Sequence, residues 1–165
     1  MVSPLVVVMG VSGSGKTTVG TALAERLGVP YAEADDFHPP ENVAKMASGV
    51  PLTDEDRRPW LDAIAAWLEE RGDGGGVVTC SALRRRYRDR LRRAAPELFF
   101  VHLHGSPELI AGRIARRKGH FMPPALLRSQ IETLEPLGPD ERGAVVPVDG
   151  TPEETVALAY AAVPR

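Results

Sequence analysis

Apolar residues along this chain fall into two alternating patterns: short continuous runs, and longer stretches with apolar positions three and four apart. Residues 5–9 form a continuous, β-branched-rich run, suited to a strand buried on both faces. Val19, Leu23 and Leu27 mark an amphipathic helix over 17–27, ended by Gly28 with Pro30 just beyond. A second strand begins at about Tyr31, and residues 41–47 form a short helix after Pro39 and Pro40, followed by a loop at 48–51. A hydroxyl at Thr53 and acids at Asp54, Glu55 and Asp56 predict a helix start, and Pro59 either kinks that helix or opens a new one. Trp60, Leu61, Ile64, Trp67 and Leu68 share one helical face, which makes both tryptophans core residues.

After the glycines at 72–76 the alternation continues. Strands are predicted at 77–81, 98–103 and 144–148, and helices at 83–94, 107–117, 125–134 and 152–162. The helix at 83–94 has Leu83, Tyr87 and Leu91 as its apolar stripe, with arginines nearly everywhere else. Strands alternating with helices through short connections imply an α/β fold with a parallel sheet covered on both faces.

Between the first strand and the first helix lies Gly10, four residues, then Gly15, Lys16 and Thr17, the spacing of a P-loop. Gly10, Gly13 and Gly15 let the backbone turn sharply and aim successive N–H groups, with those of Ser12, Ser14 and Thr18, at phosphate oxygens. The following helix adds its positive N-terminal end. Lys16 reaches the β- and γ-phosphates of ATP, and the Thr17 hydroxyl ligates the Mg²⁺ that bridges them.

With 165 residues the chain is most simply one domain. Its 20 Lys and Arg nearly balance 22 Asp and Glu, which argues against general affinity for nucleic acid or a membrane surface. The one cysteine, Cys80, cannot form an internal disulfide and reads as a small buried side chain. No segment approaches the roughly 20 apolar residues of a membrane span, and the apolar N-terminal run lacks a basic leader, so a soluble cytoplasmic protein is expected.

Four stretches, in order, carry a resemblance to a known family. GVSGSGKTT, ADDFHPPENVAKMASGVPLTDEDRRPWL, CSALRRRYRD and RKGHFMPPALLRSQIETLEP resemble the gluconate kinases over most of the chain. The resemblance implies ATP-dependent phosphorylation of D-gluconate at its 6-hydroxyl, giving 6-phosphogluconate and ADP. It also implies a P-loop fold similar to shikimate and nucleoside monophosphate kinases, with strand order 2-3-1-4-5. A single domain over 1–165 would carry a substrate-binding helical region at about 38–70 and a lid at about 113–130, and the family suggests a homodimer.

Asp35 stands at the carboxyl end of the second strand, where open parallel sheets bind ligands, and is the candidate to orient the acceptor hydroxyl or take its proton. Related kinases often carry an Asp-x-Asp pair here, and this chain has Glu33 in the first place. A sugar acid needs fixed cations and two-way hydrogen-bonding groups, for which the candidates are His38, Lys45, Arg57, Arg58, Ser81, Arg84, His120 and Gln130. Arg84, read as lying in the first turn of a helix, opposes the dipole and makes sense beside an anion. Arg85, Arg86, Arg88, Arg90, Arg92 and Arg93 read as a solvated face. Among the lid arginines, Arg117 is the candidate to stabilise the transferring phosphoryl group, and Arg113 to pack on the adenine. His102 and His104 have metal-ligand spacing but no third ligand, which favours a structural role. Two other readings remain, a related kinase for shikimate or a nucleoside monophosphate, and a slow nucleotide-dependent switch. Against the switch, the chain has no Asn-Lys-x-Asp motif for reading guanine.

Overall fold

The computed structural model describes residues 2–116 and 124–165. The elements run β1 (Leu5–Met9), α1 (Lys16–Leu27), β2 (Tyr31–Glu33), α2 (Pro40–Ala47), α3 (Asp54–Arg71), β3 (Gly76–Thr79), α4 (Arg85–Ala94), β4 (Phe99–His104), α5 (Pro107–Arg116), α6 (Pro124–Thr133), β5 (Gly143–Pro147) and α7 (Pro152–Ala162). Five parallel strands form one sheet in the order β2-β3-β1-β4-β5, as the resemblance implies.

The continuous apolar run of β1 is explained by its central place in that sheet. Val7 and Met9 pack on one face with Ile64 and Leu68 of α3 and Leu91 of α4, while Val6 and Val8 pack on the other with Leu23 of α1 and Ala159 of α7. Successive side chains point to opposite faces, so a strand covered on both sides must be apolar at every position. Each fully buried valine here contributes roughly 1.5–3 kcal/mol over an exposed one. Five strands all running one way bring their carboxyl ends, and the loops that follow them, to a single edge.

Thr53 caps α3 in a reciprocal box: its hydroxyl accepts from Asp56 N at 3.1 Å, and the Asp56 carboxylate accepts from Thr53 N at 2.9 Å. The helix then runs through Pro59 without ending, carried by the buried face of Trp60, Leu61, Ile64 and Leu68. β3 is shorter than predicted and α4 starts later, leaving 80–84 as a loop with Arg84 at the N-cap and not in the first turn.

Arg88 does not lie on a solvated face. Its side chain is wholly buried and forms a two-pronged ion pair with Glu141, Nε at 2.7 Å and Nη2 at 2.9 Å. Arg88 follows Tyr87 and precedes Leu91 by three, so it belongs to the inward stripe of α4, and Glu141 from the turn before β5 supplies the compensating charge. Arg92 also reaches Glu141, and Arg85 reaches Asp140. Among the described residues no helix is long and apolar enough to cross a membrane.

Candidate active site

The turn between β1 and α1 is built on glycine. Gly10 and Gly13 have φ of 151° and 82°, and a Cβ on Gly13 would stand 2.6 Å from Cγ1 of Ile114. The loop is thus pressed against α5 with no room for a side chain. Lys16 Nζ donates to the carbonyls of Gly10 and Val11, both at 3.1 Å, which folds the ammonium back over the loop at the positive end of α1. Ser14 is buried, and its Oγ has no hydrogen-bond partner among the described residues. The Ser12 amide is held from outside, donating to Gln130 Oε1 of α6 at 2.8 Å. Gln130, a candidate for the acceptor, is therefore placed on the phosphate loop.

Across the loop, Glu33 ends β2. Burial pushes its carboxyl up, yet hydrogen bonds from Tyr31, Thr17 and Thr79 and the charge of Lys16 outweigh that and leave it below the ordinary carboxylate range. Thr79 Oγ1 donates to Glu33 Oε2 at 3.2 Å, and the Tyr31 hydroxyl donates to Oε1. Burial and Glu33 in turn push the Tyr31 phenol up to about 12. An ionised carboxylate beside the Thr17 hydroxyl is an oxygen-only donor set, which suits a hard cation such as Mg²⁺. Glu33 thus keeps a charge facing the loop despite its longer side chain.

Asp35 is exposed on a short 3₁₀ turn, Ala34–Phe37, immediately beyond β2. Cys80, just beyond β3, is buried, and burial pushes its thiol up to about 12. His38 stacks on Trp60, centroids 4.5 Å apart and planes 6° from parallel, with Asn42 Nδ2 3.2 Å from its Nδ1. Burial lowers the His38 pKa, the Asp35 charge opposes that and the Arg57 charge adds to it.

The remaining candidates separate by their partners. Lys45 is paired with Asp56 at 2.7 Å, which pins α2 to the start of α3. Arg57 donates to Leu52 O at 2.9 Å and to the Tyr87 hydroxyl at 3.2 Å, and that hydroxyl donates to Asp54 at 2.6 Å. Arg58 is exposed. Ser81 is half-buried, and its carbonyl accepts from Gly10 N at 3.4 Å, joining the loop after β3 to the phosphate loop. Arg84 is half-buried at the N-cap of α4, and no hydrogen bond or ion pair engages its guanidinium among the described residues. Arg113 donates to the carbonyls of Val148 and Gly150 in the loop after β5. Arg117 and His120 lie outside the described residues. The rings of His102 and His104 meet edge to face at 5.7 Å, and no group of three or more metal-ligating residues forms among the described residues.

Three contributors to the site were not singled out from sequence. Trp60 donates from Nε1 to Ala34 O at 2.7 Å, Asn42 donates to Asp56 O at 2.8 Å, and Glu135 Oε1 accepts from Arg85 N at 3.1 Å, capping α4. Each is a side-chain bond to backbone across 14 residues or more, which periodicity cannot register.

Comparison with known proteins bears on the acceptor. The sequence model of the shikimate kinase family matches residues 12–142. A gluconokinase of Gluconobacter oxydans is 52% identical over 154 residues, 92% of this chain and 85% of that protein. The thermoresistant gluconokinase of Escherichia coli is 42% identical over 159 residues, 92% of this chain and 91% of its own. A crystal structure of a gluconokinase from Sinorhizobium meliloti superposes with a TM-score of 0.90 at 52% identity, covering 97% of this chain and 91% of the other.

Proposed function

The chain belongs to the gluconokinase family, within the wider shikimate kinase group, and from that premise we propose that it transfers the γ-phosphoryl group of ATP to the 6-hydroxyl of D-gluconate. The observation that carries the substrate is the 52% identity over 92% of the chain, which extends across the acceptor side as well as the phosphate loop.

Phosphoryl transfer asks mainly for alignment and for positive charge around the moving group. The loop amides and Lys16 hold the triphosphate. Asp35 receives the 6-hydroxyl, orients its oxygen toward the γ-phosphorus and accepts its proton as the new O–P bond forms and the bond to ADP breaks. Thr17 and Glu33 are the residues that would hold Mg²⁺, which when bound neutralises charge on the β- and γ-phosphates. Arg84 is the first choice for the gluconate carboxylate, supported by a guanidinium that no described residue engages, with His38, Arg57 and Ser81 meeting the hydroxyls. In this reading residues 38–70 form the acceptor region and 113–130 the covering segment of one kinase domain. A cytoplasmic location is supported by the demand for ATP, and a homodimer by the family resemblance.

A panel of gluconate, shikimate and nucleoside monophosphates, each assayed with ATP and Mg²⁺ by coupled ADP release, tests the substrate. Gluconate should dominate by kcat/KM, with the product phosphorus on C6 by NMR. ADP release with another acceptor and none with gluconate overturns the assignment.

A further inference from the structure

The loop between β3 and α4 is held more firmly than a connection of its length requires. Ala82 is the one non-glycine residue with positive φ among the described residues, at 45°, and it is 1% exposed. A β-carbon in that region is strained and persists only where the surroundings enforce it. Three successive carbonyls do so. Ser81 O accepts from Gly10 N at 3.4 Å, Ala82 O from Arg88 Nη1 at 2.8 Å, and Leu83 O from Glu135 N at 2.6 Å. The middle donor is the wholly buried Arg88, whose other nitrogens grip Glu141 and, at 3.3 Å, Pro136 O. Glu141 is itself fixed by the Gly138 amide at 3.0 Å. A planar guanidinium forked onto a buried carboxylate has one orientation, so its remaining N–H marks one position for the Ala82 carbonyl.

We propose that the buried Arg88–Glu141 pair is a positioning device that holds Ala82 in its left-handed turn and thereby sets where Ser81 and Arg84 meet gluconate. This rests on the reading of Ser81 and Arg84 as acceptor-binding residues. A purely structural pair would be replaceable, because apolar or neutral substitutes for buried ion pairs are often tolerated. Here replacement releases the strain at Ala82, the loop relaxes toward an ordinary conformation, and the acceptor contacts move.

The test uses the double variant Arg88→Met/Glu141→Gln, in which the new amide still accepts from Gly138. The expected result is a folded protein whose KM for gluconate rises about tenfold while its KM for ATP stays within about twofold, as for a displaced substrate contact. Adding Ala82→Gly should bring KM for gluconate most of the way back, because glycine adopts positive φ without needing the clamp. A structural role alone would give no such rescue. Should the double variant not fold, Arg88→Lys keeps the charge without the fork, and its KM for gluconate should rise with the same Ala82→Gly rescue. Unchanged KM for gluconate, an equal rise for ATP, or no rescue overturns the proposal. Arg84→Ala separates the premise: unchanged KM for gluconate there rejects the acceptor assignment, whereas a rise there without one in the clamp variants rejects the positioning role.

Discussion

The indole Nε1 of Trp60 donates to the carbonyl oxygen of Ala34 at 2.7 Å, tying the core face of α3 to the turn that carries Asp35. A tryptophan that reads as core filler from its helical spacing also supplies a polar handle, and the handle ends one residue from the acid. The same ring stacks on His38, so both flanks of the turn lean on one side chain.

Trp60→Phe retains a ring for the core and removes the donor. The Ala34 carbonyl is left without its buried partner, which should lower unfolding free energy by about 1–3 kcal/mol in urea titrations. Because the turn loses its anchor, kcat should fall several-fold while ATP affinity holds. A stability loss with unchanged kcat would show that Asp35 is placed by other contacts.

Asp35→Asn preserves shape and hydrogen-bonding capacity while removing the carboxylate charge. Loss of a general base lowers turnover by about 10²–10⁴-fold, and because Asp35 lies beyond β2 and not in the phosphate loop, nucleotide binding should scarcely change. Near-normal kcat would remove this residue from the mechanism.

Lys16→Ala addresses the other flank. The ammonium rests on the carbonyls of Gly10 and Val11, so the variant keeps the loop's glycines but loses the charge that meets developing negative charge on the phosphates. Turnover should drop about 10³-fold or more, with the melting temperature little altered. Substantial residual activity would mean that another cation does this work.

The parts of the molecule legible in sequence are those fixed by local rules. The strand order followed from the family resemblance, but the buried runs of β1 and β3, the hydroxyl cap at Thr53 and the glycine turn at Gly10 each depend on a few neighbouring residues. Arg88 reads as solvated in sequence because its counter-charge, Glu141, lies 53 positions away. The stripe Tyr87, Arg88, Leu91 carried the available signal. Gln130 stands out in sequence for its two-way hydrogen bonding, whereas its place on the phosphate loop comes from the packing of Leu127 and Ile131 with Val11 and Ile110, which brings α6 there. The residues proposed for the acceptor come from the turn after β2, the start of α3 and the loop after β3, and no periodicity spans those three.

His102 offers a pH signature of the folded core. It pairs in register with Met9 at the centre of the sheet, is 3% exposed, and its Nδ1 has no hydrogen-bond partner among the described residues. Burial, with the charges of His104 and Arg88 nearby, lowers its pKa to about 4. In the unfolded chain the imidazole titrates near 6.5. As pH falls below that value the unfolded state binds the proton first and the folded state does not, so this contribution is complete above about pH 6.5 and is lost progressively toward pH 4. The slope from this one group reaches about 1.4 kcal/mol per pH unit. His102→Met removes the titration while keeping an apolar volume, so the variant-minus-parent difference in unfolding free energy should shift in the variant's favour as pH drops through that window. Carboxylates such as Glu141 titrate alike in both proteins and cancel in the difference. Parallel stability curves from pH 7 to 4 would show that His102 is protonated equally in both states, and that its burial carries no linkage to folding.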